Sequence, residues 1–189
     1  MNDTVTAAFP ACLAATVSGL SPILLSSSEH ACSEPFTVSC GGETLLIPCR
    51  IYFPRPSDNA FRALHDTELS IVACWFTRHH DGYVRERFLR SLTAFDSAWI
   101  IAYVVALCGE YVIELLRYIW DRRELFDRLA LGRWLHENEA FYRQTRSRIV
   151  SYWNCYYRST FPCFTDYVGS HLVRFFDESI INSDAAGHV

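Results

Sequence analysis

Apolar and polar positions change their spacing along this chain, and the changes mark its elements. In "PFTVSCGGETLLIPCRIYFPRP" two β-prone runs, Phe36–Cys40 and Thr44–Phe53, flank Gly41-Gly42, which predicts a hairpin with Pro48 confined to an edge or a bulge. From Ser57 the spacing becomes helical. Leu69, Val72, Ala73 and Phe76 predict a helix from Asp66 to about His79, Asp81-Gly82 breaks it, and Tyr83 to Leu92 restarts it. Asp96 is placed to cap a third helix running from Ser97 to about Arg123, in which Glu110, Glu114, Arg117 and Asp121 form one polar stripe on an apolar rod. Further helices are expected over 124–136 and 138–158, and a last one from about Thr165 to Asp177. The fold class is therefore mainly α, a helical bundle with a small N-terminal β-hairpin.

The domain organisation follows from the same pattern. Residues 1–35, rich in Ala, Ser and Thr with Pro10 and Pro22, read as a loosely ordered N-terminal arm; the hairpin occupies 36–56, a helical domain 57–180, and a disordered tail 181–189. The longest apolar run ends at Cys108, short of the roughly 20 residues that span a bilayer, and Glu110, Glu114 and Arg117 would each be costly in lipid. This predicts no membrane partner. The early segment lacks the basic leader of a secretion signal, so a cytoplasmic location is expected.

Asp81, Val84, Arg85, Phe88, Leu89 and Leu92, following the helix from Glu68, resemble the second half of a HEAT-type helical repeat. The resemblance covers about residues 68–92 and implies a HEAT-like helical hairpin, in which the aspartate caps the second helix and the arginine reaches a neighbouring turn. No repeat of similar period follows, so the expectation is a bundle containing one such hairpin.

Composition narrows the chemistry. With 189 residues, half of them apolar, and 5 Trp, 10 Tyr and 13 Phe, the chain can bury a substantial core. All 17 basic residues are Arg, because the chain is lysine-free; Schiff-base enzymes, phosphate-loop NTPases and kinases of the usual design are thereby excluded. The net charge is -4, yet residues 115–160 carry nine Arg against five acids. None of the eight cysteines sits at the two-residue spacing of a zinc knuckle or redox dithiol, which predicts buried free thiols in a reducing compartment.

Three constellations could carry function. "HHDG" at 79–82 offers His79, His80 and Asp81, but adjacent histidines on a helix point about 100° apart, so a helix end, turn and N-cap is the favoured reading over metal ligation. Glu110 and Glu114 lie one turn apart, yet Arg117 stands where a di-iron pattern needs His, which favours an ion-pair stripe over a catalytic pair. No catalytic residue, metal or cofactor is assigned.

"FYRQTRSRIVSYWNCYYRSTFPCF" interleaves Arg with aromatics, the composition of an interaction surface. Its binding residues are expected to be Arg143, Arg146, Tyr142, Trp153, Tyr156 and Arg158. The sequence thus points to a non-enzymatic protein-interaction module of adaptor or inhibitor type with a protein partner, and self-association stays open. An enzyme with a His/Glu site between helices is the alternative, as is an RNA or single-stranded DNA binder, although an acidic, lysine-free chain argues against nucleic acid.

Overall fold

A computed structural model describes residues 2–25, 32–61 and 64–186, which divide into two compact units, Met1–Thr93 and Ala94–Val189. The division falls inside the helical domain expected over 57–180.

The first unit opens with α1 (Asn2–Thr6), α2 (Ala14–Gly19) and α3 (Ser21–Leu24), separated by a 3-10 turn at Ala11–Leu13. The loosely ordered arm expected over 1–35 is, at residues 2–25, a packed layer with Val5, Ala8, Phe9, Val17, Leu20 and Leu24 buried. Its apolar residues are spread over short helices too brief to show a period, and they are held by the hairpin. Leu46 N donates to Ala7 O at 2.8 Å, and Ala11 N to Glu43 Oε2 at 2.7 Å. Residues 1 and 26–31 of that expectation lie outside the described residues.

The hairpin pairs β1 (Pro35–Cys40) with β2 (Glu43–Pro48), antiparallel from Pro35↔Pro48 to Cys40↔Glu43. Gly41 and Gly42 have φ of 60° and 83°, the positive pair that a two-residue turn of matching twist requires. The paired prolines Pro35 and Pro48 interrupt the predicted second strand, and antiparallel contact in the same register goes on beyond them, with Ser33 N donating to Arg50 O at 2.9 Å and Cys32 bridging Ile51.

The hairpin of α4 (Asp66–Phe76) and α5 (Gly82–Ser91) completes the unit. A capping box starts α4: His65 N donates to Glu68 Oε2 at 2.9 Å. Its residues Ile71–Phe76 are all buried, and Trp75 Nε1 donates to Leu24 O at 3.1 Å. Arg78, also buried, donates to Pro48 O and Cys49 O, tying the end of α4 to the end of β2.

In the second unit, α6 (Ala98–Cys108) and α10 (Val168–Ala186) each pack against α7 (Ile113–Asp121), α8 (Arg128–Glu137) and α9 (Glu139–Tyr152). The single helix expected from Ser97 to Arg123 is two. At Gly109 the ladder tightens, with Gly109 N donating to Ala106 O and Glu110 N to Leu107 O, and Glu110 is buried in the turn instead of lying on a stripe with Glu114. The tail expected to be disordered over 181–189 is helical to Ala186, and residues 187–189 lie outside the described residues.

Helices α8 and α10 approach each other at Gly132. A Cβ on Gly132 would lie 2.1 Å from Ser179 O and 2.7 Å from Ser183 Oγ, so only glycine permits this approach. No helix among the described residues is long and apolar enough to cross a membrane.

Candidate functional site

The second unit brings part of the expected binding surface together along α9. Helical geometry sets Arg143, Arg146, Val150 and Trp153 on one side at steps of three, four and three, while Tyr142, Thr145 and Ile149 are buried on the other. Arg143, Arg146, Ser147, Val150, Trp153 and Asn154 line an open groove of about 730 Å³. Val150 is 42% exposed, an apolar floor between two cations and an aromatic ring.

The cations hold partners that are easily exchanged. Arg143 Nη2 lies 3.1 Å from Glu139 Oε1, and Arg146 Nη1 3.6 Å from Asp177 Oδ2, all four side chains being more than a third exposed. Such surface pairs contribute at most about 1 kcal/mol, so a partner's carboxylates can replace them at little cost. Arg148 sits off this face, its stem over Gly109.

Trp153 is half-buried, and its Nε1 donates to Phe161 O at 2.9 Å while its ring meets Phe164 edge-on. It opens a π-helical turn, Trp153–Tyr157, in place of the continuous helix expected to 158. One such turn carries one residue more than the regular helix. Arg158 stands 5.7 Å from the Trp153 ring centroid and donates to Asn154 Oδ1, bracing the end of the groove.

Tyr156 belongs to a different patch. It is 61% exposed and forms a triangle with Tyr111 and Tyr152, with ring centroids 5.9–6.1 Å apart. Tyr142 lies beneath the surface, not on it: it is buried, and its hydroxyl donates to Asp177 Oδ1 at 2.6 Å. Burial first, and that hydrogen bond second, push its pKa up. Composition assigned Val150, Ser147 and Asn154 no role, although their spacing from Arg143 follows the helical period.

The "HHDG" stretch is a helix junction in the first unit. Asp81 N donates to His79 Nδ1 at 3.0 Å, so Nε2 carries the proton and donates to Phe53 O at 2.8 Å. Burial lowers the His79 pKa. Asp81 caps α5 through Tyr83 N, and Arg85 Nη1 donates to both His79 O and His80 O at 2.8 Å, satisfying carbonyls that the end of α4 leaves open. His80 is exposed and stacked on Tyr52.

Glu114 lies in the first turn of α7, exposed. No group of three or more His, Cys, Asp or Glu among the described residues is placed to hold a metal ion. Of the cysteines, Cys40, Cys74 and Cys108 are buried, but Cys12, Cys155 and Cys163 are exposed, contrary to the expectation of buried thiols throughout.

No protein-family model matches this chain, and neither does any curated protein or solved structure.

Proposed function

We propose that this chain is a protein-interaction module whose α9 groove receives an acidic segment of a partner protein. The observation that carries this reading is the exposed Val150 floor between Arg143, Arg146 and the half-buried Trp153. An apolar anchor would sit on Val150 and the Trp153 ring, and flanking carboxylates would take the two guanidinium forks in place of Glu139 and Asp177. Arg and Trp are the residues that dominate binding energy at such surfaces, and a groove already braced by Phe161 and Arg158 needs little ordering on association. The HEAT-like hairpin in the first unit is proposed as scaffold, because its polar groups are consumed by capping.

A photo-crosslinking residue at Val150 tests the proposal, with Arg143→Glu/Arg146→Glu as the control. The expected captured species are joined through acidic segments, and the reversal weakens their binding by more than about 1 kcal/mol while lowering the melting temperature only slightly, through the lost pairs with Glu139 and Asp177. Equal capture by the reversed protein would show that α9 is not the binding face.

A further inference from the structure

A second cavity in the same unit has the chemistry of a small-anion site. It measures about 390 Å³ and is lined by Trp120, Arg123, Arg128, His171, Arg174 and Phe175, with Glu178 beside them. These come from the end of α7, the 3-10 turn Arg123–Leu125, the start of α8, and one face of α10 at steps of three, one and three. Three guanidinium groups meet one carboxylate, an excess of positive charge in a chain that is acidic as a whole.

The lining is held in place. Arg123 lies 4.4 Å from the Trp120 ring centroid and donates from Nη1 to Trp120 O at 2.9 Å, so its stacked position is fixed by a hydrogen bond. Arg128 lies 4.8 Å from the Phe175 ring and 3.3 Å from Glu178 Oε2. Arg174 makes no ion pair among the described residues. The ring of His171 is 5.2 Å from that of Trp120, and since Thr165 O accepts from its Nε2, the Nδ1 edge is the one left for a ligand.

We infer that this cavity binds a small phosphorylated molecule carrying a planar ring, a nucleoside monophosphate being the simplest. Guanidinium forks match phosphate oxygens two at a time, which distinguishes Arg from the point charge of Lys, and three of them exceed what Glu178 neutralises. Trp120 and His171 line the cavity with aromatic surface that a base can pack against, while Arg128 covers the buried Phe175 ring, and a cavity of this size falls in the range of small-molecule sites. The site shares no lining residue with the α9 groove and stands or falls separately from it.

Calorimetric titration of the full chain with AMP, adenosine and inorganic phosphate tests the inference. AMP is expected to bind at least about tenfold more tightly than either part, and more weakly as salt rises. Arg174→Glu, an exposed position, should reduce AMP affinity about tenfold or more while leaving the melting temperature unchanged, and Trp120→Leu should lose the advantage of AMP over phosphate. Adenosine binding as well as AMP, or Arg174→Glu binding like the unmodified chain, would overturn the site. So would an absence of AMP binding at millimolar concentration.

Discussion

The Tyr142 hydroxyl donates to Asp177 Oδ1 at 2.6 Å, joining α9 to α10 from inside the second unit, while the other oxygen of the same carboxylate faces Arg146 at 3.6 Å. One aspartate therefore serves the core and the groove at once. Tyr142→Phe should cost roughly 1.5–3 kcal/mol, the range for a hydrogen bond to a charged group. The buried hydroxyl keeps its proton beyond the ordinary tyrosine value of 10.0, so its share of stability is whole below that pH and is lost as pH rises toward the folded-state value. Denaturation midpoints above about pH 10 should accordingly fall less steeply in the Phe variant, with Tyr167, also pushed up by burial, keeping part of the slope. An unchanged alkaline slope would refute the role of this hydroxyl.

His79 should make the first unit sensitive to acid. Its folded-state pKa lies below the ordinary 6.5, so between the two values the unfolded chain binds more protons and stability falls as pH drops. The loss begins near pH 6.5 and levels off below the folded value. Urea midpoints at about pH 7.5 and about pH 5.5 should therefore differ more in the unmodified chain than in His79→Gln, whatever the substitution does to stability itself.

The Asp81-Gly82 pair should respond asymmetrically. Asp81→Ala removes the acceptor of Tyr83 N and should cost about 1 kcal/mol. Gly82 does not have positive φ, and a Cβ there would meet only Arg85 Nη2 at 3.6 Å. Gly82→Ala should be neutral or stabilise by up to about 1 kcal/mol, whereas Gly41→Val should be costly because of its left-handed backbone. Thermal melts of the three variants check the order.

Gly132→Ala should destabilise the second unit by about 1–3 kcal/mol, since α8 and α10 must separate to admit the methyl group. Gly109→Ala is the control: its nearest neighbours would be 3.5 Å away, and it should cost little. Equal losses at both positions would show that the α8–α10 approach is not the constraint.

Local signals made the first unit's hairpins readable. Two glycines between alternating strands, and Asp81 ahead of a helical period, act within a few residues, so spacing suffices to find them. The break between α6 and α7 was not legible, because Gly109 sits in a run whose apolar period continues and its turn is stabilised by packing with other helices. Composition likewise could not separate Tyr142 from Trp153. Both are aromatics among arginines, and which one is buried depends on where α10 lies. The cavity around Arg123, Arg128 and Arg174 left no motif, since its residues meet only through the packing of α7, α8 and α10.

The π turn at Trp153–Tyr157 makes the chain tolerant of shortening at one particular place. A regular α-helix through this stretch needs one residue fewer, so deleting Asn154 lets the ladder close without a gap. Inserting a residue there offers no such relief. Because the π turn has already taken up the extra residue, the deletion should leave Tyr156 beside Tyr111 and Tyr152, and Tyr157 near the Tyr111 carbonyl to which its hydroxyl donates. The turn is thus a store of slack, able to give up one residue of length while the aromatic face beyond it keeps its shape.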